Sequence, residues 1–249
     1  MTEVARLQSF LRAVAAPGRT VVEAPPFTAF LDPDDALRFV NYSIPADGAA
    51  PDAAAVERLR TVFRKHGRLP RLEWIEQAAP LVARALVEAG MREELRTPLM
   101  SCEPTDLVDA NVGVEELTVA RVGEADLRET ADLQRVAFGD TPLAASDEPR
   151  DPRAHGGGAV LARCAGEPLA VAAWTPIMDS VTEIVGVATA EPWRGRGLAG
   201  AVTAAGARAA FAAGASLCVL SPGDDLAQRV YARAGFAPVA TMLHWSDPD

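Results

Sequence analysis

The sequence predicts an α/β fold assembled from two similar halves. Three observations carry this reading. Short apolar runs of strand length alternate with longer stretches whose apolar residues recur at helical spacing. A strand–helix–strand–helix–strand order occurs twice. With Gly90 set on Gly235, an offset of 145 residues, Val40 meets Val185, Leu72 meets Leu217, Leu81 meets Leu226, Arg84 meets Arg229 and Ala89 meets Ala234 without a gap. Chance is the alternative, since α/β patterns recur, but the gap-free register favours duplication. Third, Ile184–Ala201 (IVGVATAEPWRGRGLAGA) passes from an apolar strand through a glycine-rich basic turn into a helix.

The first half opens with a helix over Thr2–Ala15, where Val4, Leu7, Leu11 and Val14 share one face and Pro17-Gly18 stop it. Strands are expected at Thr20–Glu23, Phe27–Leu31 and Leu37–Ile44, separated by Pro25-Pro26 and Asp32-Pro33-Asp34. Ala53–His66 reads as a helix with Val56, Leu59, Val62 and Phe63 inward, closed by Gly67. A strand at Leu72–Ile75, a helix at Ala79–Ala89 ended by Gly90, and a strand at Glu94–Cys102 complete it.

Residues 104–114 lack any period and read as a linker, so the expected organisation is 1–103, linker, 115–249. The second half begins with a strand at Glu115–Val122 and a helix at Glu124–Phe138, with Leu127, Ala131 and Phe138 on its inner side, ending at Gly139. Thr141–Arg153, with three prolines, is a loop with room for a short helix at its start. Ala159–Cys164 and Leu169–Pro176 form a hairpin about Ala165–Pro168. The strand from Val181 then enters the glycine turn, and the helix Leu198–Ala213 leaves it. Leu217–Leu220 is a strand, Asp224 is the N-cap of the last helix, and Ala240–Trp245 is the final strand.

Composition narrows the function. With 49% hydrophobic residues the chain can bury a core, and a net charge of −10 argues against nucleic-acid binding. Cys102, Cys164 and Cys218 lie far apart, and His66, His155 and His244 form no cluster, so neither a disulfide framework nor a metal site is expected. No secretory signal and no membrane-length apolar run is visible, which predicts a cytoplasmic protein without membrane contact. No Ser-His-Asp or Cys-His spacing suggests a hydrolase.

The glycine turn is the strongest chemical signal. The first N–H groups of a helix lack intrahelical partners, and the dipole places partial positive charge there. Gly195 and Gly197 allow close approach to the backbone, and Arg194 and Arg196 add charge that does not titrate. The turn therefore suits a phosphate or pyrophosphate, although its spacing is neither that of a Rossmann fingerprint nor of a P-loop. An ordinary exposed turn is the bland alternative.

Arg194-x-x-Gly197-x-Ala199 resembles the Q/R-x-x-G-x-G/A motif of the GNAT acyltransferases, and Tyr231-x-x-x-Gly235-Phe236 resembles that family's Y-x-x-x-G-F segment. The resemblance implies two domains, each a mixed, mainly antiparallel sheet flanked by helices. It implies an N-acyltransferase passing acetyl from the cosubstrate acetyl-CoA directly to a primary amine of a small molecule or peptide, without a metal. In that family's terms the backbone of Arg194, Gly195, Arg196, Gly197, Leu198 and Ala199 holds the pyrophosphate. The strand segment Val187, Ala188, Thr189 holds the pantetheine and polarises the thioester. Asp224 stands where the family usually has Asn, a donor that a carboxylate cannot replace. Tyr231 is placed to protonate the leaving thiolate. Glu183 stands where relatives carry a base, with an edge-of-strand Glu in solvent as the alternative. The loop Thr141–Arg153 lies where the family's acceptor site is covered.

In the first half Ala49 and Asp52 face Arg194 and Gly197 in the alignment, and Leu86 faces Tyr231. Asp52 would repel a phosphate, so this half resembles a GNAT domain that has lost its cofactor site. A non-catalytic acyl-CoA-binding module is the alternative function. The acidic balance favours cationic acceptors, and either a monomer or a homodimer is compatible with the sequence.

Overall fold

The computed structural model describes residues 2–36 and 38–248. In chain order its elements are α1 (Glu3–Ala15), β1 (Thr20–Ala24), β2 (Phe27–Leu31), β3 (Tyr42–Pro45), α2 (Ala53–Lys65), β4 (Arg71–Ile75), α3 (Val82–Glu88) and β5 (Arg92–Cys102). There follow β6 (Thr118–Arg121), α4 (Leu127–Ala137), β7 (Gly158–Cys164), β8 (Glu167–Trp174), β9 (Val181–Thr189), α5 (Leu198–Ala212), β10 (Leu217–Leu220), α6 (Asp225–Arg233) and β11 (Ala237–Ser246). Short 3-10 turns join several of them. Residues up to Leu99 group with those from Pro238 onward, and Met100–Ala237 form a second unit.

In the first unit the strand order is β1-β2-β3-β4-β11-β5. β3 and β4 are parallel, and the other registered pairs are antiparallel. Helix α1 starts where the Thr2 hydroxyl accepts from the Ala5 N–H, and α2 where Asp52 accepts from Ala55 at 2.7 Å. Leu7 and Phe10 of α1, Leu59 and Phe63 of α2, and Trp74 of β4 are fully buried. The buried Gln8 side chain donates to the Pro45 carbonyl and accepts from the Ile75 N–H at 3.0 Å. It therefore fills the gap between the ends of β3 and β4.

The expected strand at Leu37–Ile44 is different. Leu37 lies outside the described residues, Arg38–Val40 form a 3-10 turn, and the strand begins at Tyr42. Asp32 accepts from the N–H groups of Asp34 and Asp35, and Asn41 bonds both the Asp32 N–H and the Asp35 carbonyl. Such local side-chain bonds satisfy backbone groups that a ladder would otherwise use. The helix expected from Ala79 begins at Val82, and the strand expected from Glu115 begins at Thr118.

In the second unit the order is β5-β10-β9-β8-β7-β6, with β5 represented by Met100–Cys102. Only β9 and β10 run parallel, so this sheet too is mainly antiparallel. The alanine-rich α5 covers one face. Its small side chains permit close packing, and a Cβ built on Gly206 would already lie at van der Waals distance, 3.6 Å, from the Ala172 Cβ. Helix α4 covers the other face through Leu127 and Leu133.

The 145-residue repeat is visible in element positions: α2 and α5 begin at equivalent residues, as do β5 and β11. The final strand, read as closing the second half, instead pairs with β4 over Met242–Ser246. Among the described residues no helix is long and apolar enough to cross a membrane.

Candidate active site

The site begins with a gap in the second unit's sheet. The β9–β10 ladder ends at Glu183 and Val219, although β9 continues to Thr189, paired there only with β8. Alternate N–H and C=O groups along residues 184–189 therefore face an open edge. The β8–β9 register slips between Val171 and Ala173, and Gly186 adopts φ +59. This is a bulge. It flips the strand's parity: Ile184 and Val187 pack in the cluster under α5, whereas Val185 and Ala188 pack in the one under α4.

β9 leads into the glycine turn. Gly195 and Gly197 have φ +77 and +85, a region costly for other residues, and Leu198 opens α5. A side chain at Gly195 would meet open space, so a ligand can reach its backbone. Gly197 is constrained differently. A Cβ there would lie 2.3 Å from the Asn111 carbonyl oxygen. The segment read as a linker is packed onto this turn: the Gly113 N–H donates to the Arg196 carbonyl and the Val108 N–H to Ala234. Arg196 stacks over Trp193 at 4.7 Å, and Arg194 makes long contacts to the carbonyls of Thr189 and Ala137.

These elements enclose a cavity of about 1070 Å³. Val187, Ala188, Thr189, the six residues Arg194–Ala199, Asp224 and Tyr231 all line it. Glu183 does not; its chain N–H and carbonyl bond to Thr175. Asp109, Ala110, Asn111, Gly113 and the exposed rings and chains of Phe138 and Leu226 also line the cavity and were not read from the sequence. Linker residues without periodicity gave no local signal for this placement. Phe138, expected on the inner side of its helix, is instead 67% exposed, because it follows the last helical residue and turns toward the cavity.

Burial first, then the negative charge of Asp224, pushes the Tyr231 phenol up to about 12. The Asp224 carboxylate also caps α6 by accepting from Ala227 at 2.7 Å. The Thr189 hydroxyl oxygen is buried without a hydrogen-bond partner, at the cavity wall. Burial raises Cys102 to about 11 and Cys218 to about 12, so neither is a nucleophile at neutral pH. Among the described residues no group of three or more His, Cys, Asp or Glu is placed to hold a metal ion.

The arrangement suits a long ligand with an anionic end. The cationic, glycine-containing helix start suits an anion, and the open strand edge offers amides to an extended polar chain.

A model of the acetyltransferase (GNAT) family matches residues 126–236. The chain is 36% identical to a GCN5-related N-acetyltransferase from Kribbella flavida, with a TM-score of 0.83 over 100% of this chain and 97% of that one. A GCN5-related N-acetyltransferase from Sphaerobacter thermophilus is similar at 18% identity and a TM-score of 0.64, covering 89% and 76% of the two chains. A tandem GNAT protein from the clavulanic acid biosynthesis pathway is 11% identical with a TM-score of 0.61, over 100% and 89%. The last two likenesses are of fold alone. A search of curated proteins found no match.

Proposed function

Since the chain belongs to the GNAT acetyltransferase family, we propose that it transfers an acetyl group from acetyl-CoA directly to a primary amine of a small molecule or peptide. The observation that carries this reading is the single cavity that joins the glycine turn, the open edge of bulged β9 and the Tyr231 phenol. The backbone N–H groups of residues 195–199 hold the pyrophosphate at the positive end of α5. The open edge at Val187, Ala188 and Thr189 orients the pantetheine arm and directs N–H groups at the thioester oxygen. Bound acetyl-CoA supplies the activated acyl group; the chain's work is to fix it beside the amine and exclude water.

Tyr231 donates a hydrogen bond to the departing thiolate. At about 12 its phenol is fully protonated at neutral pH and so can donate, but it is too weak an acid to release its proton easily. The chain's net charge of −10 favours cationic acceptors. The test is thiol release from acetyl-CoA across a panel of polyamines, aminoglycosides, amino acids and peptides, with mass spectrometry of the acylated product. A second reading, a non-catalytic acyl-CoA-binding module, draws on the absence of Glu183 from the cavity wall. Saturable acetyl-CoA binding without thiol release for any amine would favour that module.

A further inference from the structure

We propose that Gln134 is a positioning residue that holds the β9 bulge in the conformation the acyl-transfer site needs; its catalytic consequence rests on the function proposed above. Gln134 lies in α4, on the face of the sheet away from α5. Its side-chain Nε2 donates to the Gly186 carbonyl at 2.7 Å. Because the partner is a carbonyl, only the NH₂ side of the amide can face it.

The bulge explains why a donor is needed there. A bulged residue is left out of the ladder, and a half-buried carbonyl without a partner costs free energy comparable to a lost hydrogen bond. Gly186 also fits the contact sterically. It holds φ +59, and a Cβ built on it would lie 2.2 Å from the Gln134 Nε2. Glycine at 186 and glutamine at 134 thus form a matched pair.

The clamp has a reach beyond one carbonyl. The bulge moves Val187 to the α5 face and Ala188 to the α4 face, opposite to an unbroken strand. It therefore decides which backbone groups of residues 187–189 point into the cavity. If the bulge relaxed by one residue, every following side chain and amide would turn to the opposite side. Helix α4 grips β9 a second time where Arg194 spans the Thr189 and Ala137 carbonyls. Gln134 fixes the start of the segment and Arg194 its end.

The experiment uses the full chain with Gln134→Met, which keeps length but not the donor, and Gln134→Glu. Turnover of acetyl-CoA with the best acceptor should fall at least tenfold in Gln134→Met, while the acetyl-CoA Kd by calorimetry stays within about threefold. Gln134→Glu supplies a signature that mere loss of packing would not give. Its carboxylate keeps the shape of the amide but has no donor at neutral pH, where a Glu of ordinary pKa is ionised, and it repels the Gly186 carbonyl. Its kcat should therefore fall at least as far as that of Gln134→Met, although the side chain is the same size. Parental turnover in Gln134→Glu at pH 7.5, or Gln134→Met turning over within twofold of the parent, overturns the proposal. Amide hydrogen exchange separates this from the assigned reaction. The peptide spanning residues 184–190 should exchange at least fivefold faster in Gln134→Met, and unchanged exchange overturns the clamp even if no amine is ever acylated. Absence of thiol release by the parent would instead remove the proposed function and leave the exchange result standing.

Discussion

Replacing the Tyr231 hydroxyl is the sharpest perturbation of the chemistry, because the structure sets its magnitude. A thiol titrates near 8.5, whereas burial and the Asp224 charge raise the Tyr231 phenol to about 12. Complete proton transfer from phenol to thiolate is then uphill by roughly 5 kcal/mol at about 1.4 kcal/mol per pH unit. A hydrogen bond to a charged group contributes about 1.5–3 kcal/mol. Tyr231→Phe should thus lower kcat by roughly ten- to a hundredfold, with acetyl-CoA affinity and melting temperature little changed. The raised pKa also fixes the sign of the pH dependence. The phenol keeps its proton on the alkaline side of neutrality, so kcat should show no Tyr231-dependent decline between pH 7 and 10. The ionisation itself can be read directly. The chain has two tyrosines, so Tyr42→Phe leaves Tyr231 as the only source of tyrosinate absorbance at 295 nm. Asp224→Asn keeps a capping side chain and removes the charge, and should lower the midpoint. Turnover within threefold of the parent in Tyr231→Phe, or tyrosinate appearing below pH 10 in Tyr42→Phe, would refute this account.

The two glycines of the turn should behave differently. Gly197→Ala forces a Cβ against the Asn111 carbonyl, whereas Gly195→Ala suffers only its backbone conformation; the first should be less stable by about 1 kcal/mol or more, and equal melting temperatures would discount the linker contact. Gly195→Glu should raise the acetyl-CoA Kd at least tenfold by calorimetry, through charge at the pyrophosphate position. Acetyl-CoA should bind with a stoichiometry of one per chain, since Gln8 fills the gap between β3 and β4 and Asp52 caps α2; two sites of similar affinity would contradict this. In the first unit, burial alone would raise the Glu73 carboxyl, but the hydrogen bond and charge of His244 and then of Arg71 outweigh it and hold it at about 2. A depressed folded pKa adds stability that is complete above the unfolded value and lost as pH falls through the folded one. Urea unfolding should show roughly 3 kcal/mol lost between pH 4.5 and 2, and Glu73→Gln should flatten that window; an unchanged slope would discount Glu73 as its source.

What the sequence determined by itself was local. Asp224 announces a helix start because a cap side chain bonds a backbone N–H three residues on. The turn from Arg194 to Ala199 is legible because glycine and helix-start chemistry act within a few residues. The 145-residue repeat is legible because helix and strand periods survive when identity does not. Tertiary structure decided the rest. A strand's alternation marks its buried face but not its neighbour, so β11 could be placed beside β4 only by the assembled sheet. The bulge at Gly186 depends on a glutamine 52 residues away. Gly197 looked like a position left bare for a ligand, and it is bare because the Asn111 carbonyl lies against it. The Tyr231 pKa follows from burial and a charge seven residues earlier on the same cap and helix, and desolvation is a property of the packed interior rather than of any motif.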